Sequence, residues 1–172
     1  MTDTKTNWVR FDWPLSGRCF ENPPVPGYTL RAARTDDVVS MREIVGLAYR
    51  SDSVWNENVS TIQERVMERV KNRIADPEAH FVLAVYCGQV IGLNGVAITS
   101  YTQMNLITGI CVSTEHQGRG VGKALLSCSL TWLRDQGLSV ATVTTDKRAI
   151  AAYVYSHFNA CRVDNVNYPE AF

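Results

Sequence analysis

Between Glu115 and Lys123 the chain reads Glu-His-Gln-Gly-Arg-Gly-Val-Gly-Lys, with an apolar β-branched run before it and a helical pattern after it. Glycines at 118, 120 and 122 let the backbone come close to a ligand and turn successive N–H groups the same way. The helix that follows directs its unpaired N–H groups and the positive end of its dipole into the same space. That chemistry suits a phosphate. A Walker A loop would place glycine where Gln117 stands and a hydroxyl where Ala124 stands. A dinucleotide fingerprint needs G-x-G-x-x-G after a first strand, whereas this is G-x-G-x-G after four expected strands. The pattern that fits is Q/R-x-x-G-x-G/A, with Gln117, Gly120 and Gly122 in place.

The elements needed to position this loop can be read from periodicity. Tyr28 to Ala33 alternates as a strand, and Thr35-Asp36-Asp37 supplies helix-capping chemistry before apolar residues at helical spacing from Val38 to Ala48. A polar break over 51–58 leads to a second helix, with Ser60 and Gln63 as a capping box and Asp76-Pro77 as its stop. Strands are expected over Phe81–Tyr86, Val90–Thr99 and Leu106–Val112. A long helix ending at Gly137 comes next, then a strand over Leu138–Thr144, a helix capped by Asp146 and running through Phe158, and a last strand over Cys161–Asn167. The order is β-α-α-β-β-β-α-β-α-β, an α/β or α+β sheet with helices packed on it. Residues 1–27 read as a separate arm, with Trp8, Phe11, Trp13 and Phe20 ahead of a Pro-rich connector, and residues 28–172 as one domain. The aromatics suit an anchor on the domain surface, a lid over a substrate site or a dimer contact.

In its motif and its element order from Tyr28 to Asn167, the chain resembles the GNAT-superfamily N-acetyltransferases. The resemblance implies a mostly antiparallel sheet whose middle strands splay, with helices on both faces. It implies that acetyl-CoA is the cosubstrate, with the backbone around Ile110, Cys111 and Val112 holding pantetheine and the thioester carbonyl. The amides of Gln117, Gly118, Arg119, Gly120, Val121, Gly122 and Lys123 would take the pyrophosphate. Pantetheine would add to the open edge as a strand does, and an N–H aimed at the carbonyl would stabilise the oxyanion. The family pattern N-x-x-A-x-x-[LY]-Y-x-x-x-G-F aligns on Ala151, Val154 and Tyr155, which makes Tyr155 the catalytic acid for the departing thiolate. Tyr153 is the competing hydroxyl. Arg148, Asn159 and Ala160 depart from the pattern, and Asn159 tolerates a left-handed helix end almost as glycine does. Relatives close with two strands, of which one is readable, so the arm over Trp8–Trp13 is a candidate for the missing pairing, within the chain or from a second subunit. No strand carboxylate is present to serve as base. Asp52 and Glu57, in the loop that lines the acceptor site in the family, lean towards a cationic amine.

Composition narrows the setting. Seventeen Lys plus Arg balance seventeen Asp plus Glu in 172 residues, so a basic nucleic-acid surface or electrostatic membrane docking is not expected. Five scattered cysteines without a C-x-x-C pair and three distant histidines suggest no disulfide scaffold and no metal site, and they fit a reducing cytoplasm. The expected activity is direct transfer of acetyl to a small-molecule or peptide primary amine in a ternary complex. The alternative is a non-catalytic acyl-CoA-binding module.

Overall fold

The computed structural model describes residues 6–98 and 104–169. Thr99, which ends one of the expected strands, lies outside them. Among the described residues seven strands form two antiparallel sheets, with four α-helices packed on them. One has the order β2 (Tyr28–Ala32), β3 (Ala79–Tyr86), β4 (Gln89–Ala97), β5 (Cys111–Val112). The other has β1 (Trp8–Pro14) between β6 (Val140–Asp146) and β7 (Cys161–Asp164).

The run Phe81–Tyr86 is apolar without alternation because β3 is covered on both sides. Phe81 and Leu83 meet Met41, Ile44 and Val45 of α1 (Val38–Ser51) and Val66, Met67 and Val70 of α2 (Val59–Arg73). Val82 and Ala84 face Val121 and Leu125 of α3 (Val121–Asp135). Opposite Val85 the strand β4 shifts register by one residue, which turns Ile91 to the α3 side and Leu93 to the α1 side.

The aromatic segment expected to form an arm is a strand with a partner on each side. Its sequence Trp-Val-Arg-Phe-Asp-Trp alternates, with Val9, Phe11 and Trp13 buried and Arg10 paired to Asp12 on the other face. That period of two was the available signal, obscured by the Pro-rich stretch that follows. Both partners belong to the same chain: Phe11 lies opposite Val143 on one side and Arg162 on the other. Aromatic weight here fills the core under α3 and α4 (Ile150–Tyr155), where Leu126, Leu130, Ala152 and Tyr155 meet it.

Three local expectations change. The strand expected over 106–112 shortens to Cys111–Val112, because Gly109 takes φ +72 and Thr108 turns its hydroxyl to accept the Gly95 N–H at 2.8 Å. The helix expected from Asp146 to Phe158 shortens to six residues. Asp146 ends β6 and accepts the Arg148 N–H and guanidinium, while Phe158 and Asn159 are left-handed at φ 61 and 54. The Ser60/Gln63 capping box does not form, since α2 starts at Val59 without a side-chain cap and Gln63 donates to the Arg42 carbonyl.

At the start of α1, Asp37 accepts both guanidinium nitrogens of Arg31 at 2.8 Å and the Arg34 N–H at 2.7 Å. The Arg31 fork, helped by that N–H, holds its pKa down at about 2. A depressed carboxylate pKa adds stability above the unfolded value near 3.9, and this is lost as pH falls through the folded one. Asp37→Asn should therefore cost about 1 kcal/mol at pH 7, after allowance for the half-exposed Arg31. Urea midpoints of the two proteins should converge between pH 4 and pH 2.

Candidate active site

Strands β5 and β6 are each the last of their sheet, and no ladder joins them among the described residues. Asn105 ties the two sheets together. Asn105 donates its N–H to the Thr142 carbonyl at 2.8 Å, accepts the Thr142 N–H on Oδ1 at 3.1 Å, and ties its amide to Ala97 at 3.0 Å. Beyond that clamp the edges part around a cleft of about 860 Å³.

On the β5 side, the Ser113 N–H reaches the Ile91 carbonyl, so Cys111, opposite Leu93, also turns its backbone towards β4. Alternation then aims the backbone of Ile110 and Val112 into the cleft. Both show it: the Ile110 N–H donates to the Tyr155 hydroxyl at 3.1 Å, and the Val112 carbonyl accepts from the Gln117 amide at 3.0 Å. Across the cleft the Thr144 N–H has only the Met104 sulfur, a weak acceptor, at 3.3 Å. An extended ligand with amide groups would meet two edges that, among the described residues, have no strand partner on the cleft side.

Farther along the cleft comes the glycine loop, which its neighbours hold in shape. Gln117 clamps the loop to β5 through its side chain. Gly118 and Gly120 have φ +73 and +86, the left-handed region that favours glycine, and a Cβ at Gly118 would meet nothing within 4 Å. Gly122 is needed for another reason: a Cβ there would lie 3.3 Å from Val154 and 3.5 Å from Ile110, where α3 crosses α4 and the cleft floor. The Val121 side chain is buried, leaving its amide at the helix start. Lys123 lies over the Phe158 ring at 5.6 Å, and Arg119 reaches the Tyr28 hydroxyl, which also bonds His116 Nδ1 at 2.7 Å. Open amides at a helix start, left-handed glycines and a lysine fit a pyrophosphate, and the unpaired strand edges fit an amide-bearing arm. These are the parts that acetyl-CoA would need.

Tyr155 is 1% exposed, its ring held by Phe11 at 5.9 Å and edge-on by Trp13 at 6.0 Å. Burial pushes its hydroxyl well above the ordinary phenol range, with the Ile110 N–H acting weakly the other way. It therefore keeps its proton at neutral pH, and Tyr155 is part of the cleft lining. Tyr153 is 76% exposed and rests edge-on against His157. Gly109 lies between Tyr155 and a tyrosine the sequence reading passed over: a Cβ at 109 would sit 3.5 Å from the Tyr155 oxygen and 3.1 Å from that of Tyr49. Tyr49 donates to the Thr108 carbonyl at 3.0 Å, and burial raises its pKa too.

Cys111 also lines the cleft. Burial pushes its thiol up to about 12, which leaves almost no thiolate for nucleophilic attack. Asp52 is buried with both oxygens in use: Oδ1 accepts the Val54 N–H at 3.0 Å, and Oδ2 caps α4 by accepting the Ile150 N–H at 2.9 Å. Glu57 is exposed and away from the cleft lining. The lean towards a cationic acceptor drawn from these two carboxylates is thus withdrawn: one is spent on backbone donors and the other is outside. Among the described residues no group of three metal-ligating side chains occurs, and no helix is long and apolar enough to cross a membrane.

Two antiparallel sheets parting beside a glycine-rich helix start define the fold of CoA-dependent N-acetyltransferases. The chain belongs to the acetyltransferase (GNAT) family, whose pattern matches residues 38–158. Mycothiol acetyltransferase of Streptomyces coelicolor is 28% identical over 144 residues, 76% of this chain but 46% of that protein. The chain thus spans less than half the length of this curated relative. A GCN5-related N-acetyltransferase from Sphaerobacter thermophilus shares the fold at TM-score 0.63 and 20% identity, over 93% of this chain and 52% of that one. PaiA N-acetyltransferase from Thermoplasma acidophilum, solved in complex with coenzyme A, shares it at TM-score 0.50 and 14% identity, over 64% and 74%.

Proposed function

We propose that the protein transfers an acetyl group from acetyl-CoA directly to a primary amine in a ternary complex. The observation that carries this reading is the Tyr155 hydroxyl, hydrogen-bonded to the Ile110 N–H on an unpaired strand edge that leads to the glycine loop. In this reading the amides from Gly118 to Lys123 hold pyrophosphate, and the Ile110–Val112 edge aligns the pantetheine arm. With the Ile110 N–H engaged by Tyr155, the cleft-facing Val112 N–H is the donor for the thioester oxygen. Tyr155 supplies the proton that the sulfur takes as it leaves, and regains one from water.

The state of Cys111 supports direct transfer rather than transfer through the protein. A thiol held at a pKa of about 12 is a poor nucleophile at neutral pH. Incubation with radiolabelled acetyl-CoA should leave no acetyl group on the protein, and Cys111→Ala should keep at least half of wild-type turnover.

The cradle has its own test. Gly120→Asp places a carboxylate where the pyrophosphate would lie, at a position Asp can adopt with modest strain. Calorimetry should show acetyl-CoA affinity reduced at least about 100-fold, since like-charge contact and a lost amide site act together, with the circular dichroism spectrum unchanged. Unaltered affinity would remove the loop from the binding site.

A further inference from the structure

The acceptor end of the cleft carries a charge pattern that names a substrate class. On α2, Ile62, Arg65, Val66 and Arg69 all line the cleft, the i, i+3, i+4, i+7 spacing of one helical face. Two arginines one turn apart therefore look into the same space. Among the described residues neither has a carboxylate partner. Glu64, beside Arg65, pairs with Arg42 instead, and Arg69 donates one nitrogen to the Ile107 carbonyl at 3.1 Å. That bond anchors Arg69 two residues from Gly109, the point where the Tyr49 and Tyr155 hydroxyls converge. The cleft's carboxylate, Asp52, is occupied by the Val54 and Ile150 N–H groups. Among the described residues a polyamine or aminoglycoside would meet two cations here and no free anion.

The wall beside this face is aromatic. Trp8 stacks on Trp55 at 6.0 Å and lies 4.4 Å from Tyr168, while Tyr49 meets Trp55 edge-on at 6.3 Å. All four line the cleft. An apolar side chain would be buried there. Among the described residues no free carboxylate lines the cleft to take a proton from the attacking amine. A lysine-like amine of pKa near ~10.4 would hold its proton more firmly there than the less basic α-amine of an amino acid.

Building on the acetyl-transfer reading above, we infer that the acceptor is a free α-amino acid with an apolar or aromatic side chain. Arg65 and Arg69 hold its carboxylate, the Trp8–Trp55–Tyr168 wall takes its side chain, and its α-amine points to Gly109. The amine nitrogen bonds to the acetyl carbonyl carbon as the carbon–sulfur bond breaks. The amine's proton goes to water, the sulfur takes a proton from Tyr155, and the products are an N-acetyl amino acid and CoA thiol.

Leucine, methionine and phenylalanine should be compared with their primary amides, which keep the α-amine and lose the charge. Thiol release should show kcat/KM at least about tenfold higher for the acids, the scale of a charge-assisted hydrogen bond. Arg65→Gln, at an exposed position with no partner to lose, should erase that preference without changing acetyl-CoA affinity, and Arg69→Gln should do the same. Calorimetry with the N-acetyl acids and N-acetyl amides reads the same preference without catalysis. Amides equal to or better than acids in both measurements, or a preference that survives Arg65→Gln, overturns the inference. Preferential binding of the N-acetyl acids without turnover of any amine supports the carboxylate site and overturns acetyl transfer instead.

Discussion

Tyr155→Phe is expected to lower kcat by roughly 10²–10⁴-fold, the range for removing a positioned general acid, while acetyl-CoA affinity stays within a few-fold. The ring, buried between Phe11 and Trp13, is retained by phenylalanine, so folding should survive. What is lost is the proton donor and the acceptor for the Ile110 N–H. The pH profile offers an independent reading. A general acid fails as pH rises through its pKa, and burial moves that of Tyr155 above the phenol range. Wild-type kcat should therefore show no alkaline decline up to pH 9. Thiol release measured against a panel of amines supplies both numbers. Wild-type-like turnover in Tyr155→Phe would take the acid role away from this residue.

Trp13→Ala should destabilise the protein by about 3–5 kcal/mol, the usual cost of emptying a core tryptophan site. Trp13 is fully buried, packs edge-on against Tyr155, and donates its indole N–H to the His157 carbonyl at 3.0 Å. It therefore holds α4 at two points, through its last residue and through the turn beyond. Activity should fall along with stability because the Tyr155 hydroxyl loses its fixed position. Trp13→Phe, which keeps an aromatic ring and loses only the hydrogen bond, should restore most of both. Urea unfolding with initial rates on the same three proteins is the measurement. A Trp13→Ala protein of wild-type stability would show that the first strand is not part of the core. Removal of residues 1–25 should be more severe, since it strips a partner from both β6 and β7.

The glycine loop was legible because its signal is local. Left-handed glycines before a helix start, flanked by a strand-forming run, follow from backbone sterics over fewer than ten residues. The structure finds Gly118 and Gly120 in those conformations. The long helix ending before Gly137 and the buried β3 strand were readable for the same reason. Tyr155 could be picked out from its spacing to Ala151 and Val154. The spacing could not say that Tyr155 would be buried and Tyr153 exposed, which depends on what packs over α4.

Other features rest on contacts between distant parts of the chain. Trp8 lies opposite Asp146 and Val9 opposite Asp164, pairings that close loops of well over a hundred residues. Local propensity carries no information on them, so the aromatic arm could be offered as a source of the missing pairing but not placed between β6 and β7. Asp52 looked like a free anion until it proved to cap a helix ninety-eight residues away. No motif marks Arg65 and Arg69 in the sequence, and only the packing of α2 places them in the cleft lining. Residue types and short-range spacing mark a glycine loop before a helix start and a tyrosine on a later helix, because backbone geometry over a few residues decides them. Where the sheets part, which hydroxyl enters the gap and what charge faces the acceptor are decided by packing. Only the folded chain shows which groups have spent their hydrogen bonds on the protein itself and which remain for a substrate.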